Sequence, residues 1–280
     1  MLQKRLRRRI PILHPGSRTA LLIPFYAHFG IVAAIVIFSS PFVLAQDSFE
    51  VQVYESDLVP VNQYELDMHN IFVGHGSTQW DGTVAPSNHQ AHVAFEFTRG
   101  MTDSFEMGSY LLLAHRPDGV SEYAGFRLRP RVKAPADWKL PVGLSLSAEI
   151  GFPQLQYEPN HVTLEIRPII DKTIGRWKFD INPIITFAFN GPEASQGMGL
   201  EPEGMIAYAI IPDQFRLMLE YYTALGPVHR LLPLDEQVHL LYPKIEYAFS
   251  EFFTVNAGIG IGLTSASDAL TWSLRFTFDF

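Results

Sequence analysis

Cysteine is absent from the chain. That excludes disulfides, thiolate metal centres and cysteine nucleophiles together. Long apolar runs are absent beyond residue 45, where no stretch approaches the ~18 residues a spanning helix needs, so no transmembrane helix is expected there. Positive charge is scarce as well. Six of the 21 basic residues and none of the 29 acidic ones fall within the first 45, leaving 15 against 29 and a net charge of −14 on the remainder. Nucleic acid selects basic surfaces, so that partner class is excluded.

What the chain does have begins at its amino terminus. A basic cluster (Lys4, Arg5, Arg7, Arg8, Arg9) precedes an uninterrupted apolar stretch from Gly30 to Phe38, followed by Val43-Leu44-Ala45. This is the order of a secretory signal, with cleavage expected between Ala45 and Gln46. An uncleaved anchor over Ala20–Phe38 is the rival reading, and Pro24 and His28 weaken it. The expected organisation is a signal peptide over 1–45, a periplasmic or lumen segment over 46–62, and one domain over 63–280. A secreted domain without disulfides needs another source of stability, and a closed hydrogen-bonded barrel in lipid supplies it.

The end of the chain, Leu270-Thr-Trp-Ser-Leu-Arg-Phe-Thr-Phe-Asp-Phe280, alternates apolar and polar throughout. Side chains on a strand face opposite sides in turn, so this strand has one greasy and one wet face. Twelve such segments recur, near 63–74, 89–99, 104–115, 121–132, 139–151, 160–170, 176–189, 201–212, 214–225, 237–249, 251–263 and 269–280. Links after even segments are short (100–103, 171–175, 213, 250), while most links after odd ones are longer (75–88, 152–159, 190–200, 226–236). Short turns on one rim and long loops on the other are the habit of outer-membrane barrels. The fold class predicted is therefore all-β: a transmembrane antiparallel up-and-down barrel of about 12 strands, in the bacterial outer membrane with its lipid as partner. A soluble β-sandwich of seven to nine shorter strands is the alternative.

Parity then assigns faces. In the seventh strand Phe179, Ile181, Ile185, Phe187 and Phe189 face out, against Lys178, Asp180, Asn182 and Thr186. In the fifth, Leu140, Val142, Leu144, Leu146 and Ile150 oppose Gly143, Ser145, Ser147 and Glu149. In the fourth, Phe126, Leu128 and Val132 oppose Tyr123, Arg127, Arg129 and Arg131. With Glu106 and Tyr110 on the third strand and Glu165 and Arg167 on the sixth, acids and bases line a contiguous part of the interior. The candidates for solute contact are Arg127, Arg129, Arg131, Arg167, Glu106, Glu149, Glu165, Lys178 and Asp180. Their plainer role is to pair across strands at about 0.2–1 kcal/mol each; the sharper one is a constriction that orients a solute by arginine forks. Gly258, Gly260 and Gly262 fall on the inward face of the eleventh strand, which points to barrel curvature or to close approach of a ligand or plug.

Catalytic machinery is not expected. No GxSxG occurs, and His75, His89 and His92 around the first long loop lack the cysteine or carboxylate pattern of a metal centre. No cofactor, no metal and no enzyme activity are predicted. Phe49-Glu-Val-Gln-Val-Tyr-Glu55 also alternates, but Pro60 and Asn62 separate it from the first strand, which favours a periplasmic or inward-folded segment.

Two resemblances add to this. A last strand ending on Phe280 resembles the C-terminal signature of bacterial outer-membrane proteins, which implies handling by the barrel-assembly machinery. Gly100-Met-Thr102-Asp103-Ser-Phe-Glu106-Met-Gly108 resembles the G-x-T-D-x-x-E-x-G turn and strand of the MetA-like (meta-pathway of phenol degradation) transporters, and Tyr64-Glu65-Leu66-Asp67-Met68-His69 is similar to that family's first strand. The resemblance implies a pore or transporter for small, aromatic or hydrophobic molecules. A non-conducting barrel acting through its external loops is the alternative reading.

Overall fold

The computed structural model describes residues 48–80 and 83–280. The expected signal peptide lies outside them. The strands are β1 (Tyr64–His75), β2 (Ala91–Thr102), β3 (Phe105–His115), β4 (Ser121–Lys133), β5 (Gly143–Pro153), β6 (Thr163–Ile174), β7 (Trp177–Asn182), β8 (Ile185–Ala188), β9 (Gly199–Leu200), β10 (Glu203–Ile211), β11 (Phe215–Ala224), β12 (Val238–Ser250), β13 (Phe253–Gly262) and β14 (Leu270–Asp279). β7 with β8 makes one pass through the wall, and β9 with β10 another, so the wall has twelve passes. All strand pairs are antiparallel, and β1 pairs with both β2 and β14. The sheet is thus a closed up-and-down barrel, which leaves no unpaired edge.

The seam is closed at the chain's end. Tyr64 N–H donates to the Phe280 carbonyl (2.7 Å), Phe280 N–H returns a bond to Tyr64 (2.9 Å), and the two rings stack 5.8 Å apart. This gives the carboxy-terminal phenylalanine a structural role in closing the ring.

The molecule is inside-out relative to a soluble domain. Phe72, Leu111, Leu146, Ile181, Leu219, Ile245 and Ile259 are exposed, whereas Glu96, Glu106, Arg129, Asp180, Glu220 and Lys244 are buried. Among the described residues no second sheet covers the apolar face. A continuous apolar exterior of this extent marks an interaction surface, and a closed barrel can present it to hydrocarbon because all its backbone groups are paired within the wall. The sandwich alternative is overturned.

Rim asymmetry also holds, with one exception. Residues 103–104, 175–176, 212–214 and 251–252 are the tight turns, but 134–142 is longer and carries a single 3-10 turn, Ala136–Trp138. Pro183 falls between β7 and β8, inside the single segment that alternation gives over 176–189, and Pro202 between β9 and β10. Neither can donate to a ladder, although Pro130, Pro168 and Pro243 sit within β4, β6 and β12.

One facing is corrected. Tyr123 points outward and is 42% exposed, although parity from Arg127 places it inside. Leu112 pairs with Gly125 and Leu113 with Tyr123, leaving Ala124 as an extra residue. A bulge of this kind shifts parity by one. Gly125 permits it with φ of +146°, where a Cβ would sit 2.8 Å from the Pro153 backbone.

Candidate functional site

The amino-terminal segment does not lie on the periplasmic side but threads the lumen. Phe49, Glu50, Val51, Val53, Tyr54, Ser56 and Val59 are all buried. At the long-loop end, His92 Nδ1 is 2.9 Å from the Ser48 carbonyl and Phe49 packs edge-on to Tyr157. Near the short-turn end, Val59 N–H donates to Glu106 (2.8 Å).

This plug is held by its backbone, as a strand without a sheet. Asn182 acts as a surrogate peptide: its Oδ1 accepts from Tyr54 N–H (2.8 Å) and its Nδ2 donates to the Tyr54 carbonyl (3.0 Å). Ser56 N–H donates to Asp171 (2.7 Å), Lys244 Nζ to the Val51 carbonyl (2.7 Å), Arg167 to the Gln52 carbonyl (3.3 Å) and Arg131 to the carbonyls of Glu55 (3.1 Å) and Asp57. Buried backbone groups must find partners, and here wall side chains supply what a neighbouring strand would.

Each charge predicted for the interior has a definite place. Arg129 bridges Glu96 and Glu106 (3.1 Å to the latter), and Arg131 also meets Glu106 (2.8 Å). Arg127 pairs with Glu149 (3.1 Å), and Arg167 with Glu165 (2.6 Å) and Glu203 (3.4 Å). Lys178 meets plug residue Glu55 and, at 3.5 Å, Asp171. Asp180 faces inward as expected, yet neither of its carboxylate oxygens has a hydrogen bond. The arginine row is therefore no open anion ladder. Its guanidiniums are engaged with carboxylates and with the plug, and Tyr54 lies under three of them: Arg167 at 4.7 Å, Arg129 at 4.8 Å and Arg131 at 5.3 Å from the ring centre. The aromatic face is negative, so it suits a cationic sleeve.

The motif at the first tight turn gains a physical role. Glu106, fully buried, ties two arginines to the plug backbone, and Gly108 leaves the room in which Arg129 lies, 3.2 Å from where a Cβ would be. The inward glycines of β13 work likewise. A Cβ on Gly258 would meet Lys244, and one on Gly260 would meet Tyr242 and Thr271, so the bare patch is filled by the large side chains of neighbouring strands.

Sequence reasoning missed Glu50, Tyr54 and Glu55 on the plug, and Glu96, Arg216, Glu220 and Lys244 on the wall; Arg275 it placed on the wet face of the last strand without naming it as a site. The wall set was within reach, since the same parity applied to the second, ninth and tenth strands marks each as inward. The plug set had only its alternation to announce it. His75, His89 and His92 do not gather: His89 stacks on Phe72, while His92 bonds Gln90 and Ser48. Around the plug's upper end, between it and the wall strands and loops, lie a cavity of about 170 Å³ that includes Arg127, Glu158, Glu193 and Glu201, and another of about 570 Å³ that includes Val51, Tyr242 and Asp268.

No family model matches this chain, and no curated protein matches it. Solved structures do. The COG4313 outer membrane channel from Pseudomonas putida F1 aligns over 82% of this chain and 100% of its own length, with a TM-score of 0.57 and 14% identity. The KdgM porin aligns over 77% of this chain and 99% of its own, with a TM-score of 0.51 and 9% identity. At such identities the likeness is one of fold: this chain has the closed twelve-stranded barrel architecture of outer-membrane proteins.

Proposed function

We propose that the protein is an outer-membrane conduit for small molecules, held shut by its own amino-terminal segment. The supporting observation is the plug. A lumen that accommodates an extended peptide from Ser48 to Val59 is wide enough, once that peptide moves, to admit a solute of peptide-like cross-section. The wall left behind carries Arg127, Arg129, Arg131, Arg167, Lys178 and Asp180 with the carboxylates of Glu106, Glu149 and Glu165. The position of Tyr54 over three guanidiniums marks a place where a small aromatic solute would be received. The MetA-like resemblance agrees with that cargo class. The apolar exterior and the Phe280 seam fit residence in outer-membrane lipid after removal of a signal peptide, with insertion by the barrel-assembly machinery.

Planar-bilayer conductance tests the reading. The full chain should show little current, and a variant lacking 48–59 should open a steady pore. Folded barrels of both forms without current above background would overturn it. In the open variant, Arg127→Ala with Arg129→Ala should shift reversal potentials towards cations.

The same plug favours a second reading, a sealed barrel whose long loops bind a partner. It predicts that loss of residues 225–237, and not of the plug, abolishes function in cells.

A further inference from the structure

Glu50 on the plug, His69 on β1 and Glu96 on β2 each turn one ligand atom into the same small volume, all within 4.8 Å of one another. The three residues are buried, at 5%, 2% and 2% exposure. His69 Nε2 has no hydrogen-bond partner. Its nearest acid, Glu96 Oε2, is 3.6 Å away, beyond hydrogen-bond length. Glu96 is held from its other side, where Oε1 takes Arg129 and Thr98, while Oε2 receives only a long contact from the Tyr54 hydroxyl (3.3 Å). A buried ring nitrogen and a carboxylate oxygen thus face each other across a gap that neither closes.

The carboxylates of Glu50, Glu96, Glu106 and Glu149 gather around this gap, with the guanidiniums of Arg127, Arg129 and Arg131 between them. A cation held ~2.1 Å from each ligand sets neighbouring ligands ~3.4 Å apart in a tetrahedron, close to the 3.6 Å between His69 Nε2 and Glu96 Oε2.

We infer that Glu50, His69 and Glu96 form a binding site for one divalent transition-metal ion, of the zinc class, which bolts the plug to the barrel wall. One imidazole nitrogen with two carboxylate oxygens suits zinc and its first-row neighbours, whereas calcium and magnesium take oxygen ligands alone. The Tyr54 hydroxyl, which donates to Glu50 and lies 2.7 Å from the Tyr110 hydroxyl, is the neighbouring polar group. Because Glu50 belongs to the plug and the other two ligands to the wall, occupancy opposes withdrawal of the segment. The site does not depend on whether the barrel conducts.

The test uses tag-free full chain folded in detergent, stripped with a chelator, re-equilibrated with Zn²⁺ and desalted. Elemental analysis should find one zinc per folded barrel, and Co²⁺ in its place should give visible absorption bands of a nitrogen–oxygen site. Glu50→Gln and His69→Gln should each lose the ion while keeping the gel mobility of a folded barrel. Glu50→Gln is the safer variant, since it leaves the wall untouched. Hydrogen exchange over 49–54 should slow when zinc is bound. Wild-type protein that retains no zinc, or a folded Glu50→Gln variant that retains a full equivalent, would overturn the proposal.

Discussion

At the scale of single residues, burial decides what a charge is worth. Arg129, 3% exposed, holds Glu96 and Glu106. Arg129→Met would leave two buried carboxylates short of their cation and should cost about 3–5 kcal/mol, read from urea unfolding in lipid vesicles. Lys133→Ala breaks a pair with the exposed Asp57 and should change stability by less than about 1 kcal/mol in the same assay. In the loop above the wall, burial and the charge of Glu193 raise the Glu158 carboxyl from an ordinary 4.5 to about 7. A raised folded-state value means that the folded loop binds more protons than the unfolded chain above the ordinary carboxylate range. The resulting stabilisation is present in acid and is lost as pH rises through about 7. A carbon NMR titration should find that midpoint, and Glu193→Gln should lower it.

At the scale of elements, close packing inside the lumen makes β13 and β7 sensitive where their sequences look bland. A Cβ on Gly260 would come within 2.1 Å of Thr271 Oγ1 and 2.3 Å of the Tyr242 ring. Gly260→Val should therefore destabilise the barrel by about 1–3 kcal/mol through overpacking; Ala257→Val, on the outer face of the same strand, should be near neutral in the same unfolding experiment. Asn182→Leu removes both side-chain bonds to Tyr54 and should leave the barrel folded but the plug loose, so that protease added to the periplasmic side cuts within 48–60 sooner than in wild type. The passes themselves were readable from period-two alternation, as was the rim asymmetry from link lengths. The break at Pro183 was readable neither from alternation, which continues through it, nor from proline alone, since Pro130, Pro168 and Pro243 sit inside unbroken strands. The outward turn of Tyr123 was not, because the bulge at Ala124 depends on how β3 and β4 register against each other.

For the whole molecule, the oily exterior is the defining term. Ile259, half-exposed on the outer face of β13, should tolerate arginine poorly: Ile259→Arg should lower folding stability in bilayers by about 2–4 kcal/mol if it sits near mid-depth. The interior follows a different rule. Its charges pair with one another across the wall and with a segment that is not part of it, so removing the plug exposes them together.

The linear chain determined its own inside-out barrel, because strand alternation is local: each side chain's face follows from its neighbour's, and lipid or lumen simply accepts what that pattern presents. Only the tertiary structure decided what fills the barrel and which charges meet. Asn182 joins Tyr54 across 128 positions and Lys244 reaches Val51 across 193, and no periodicity carries information over such distances. Those contacts exist because a closed, low-dielectric interior requires buried backbone and charge to find partners wherever the folded chain brings them.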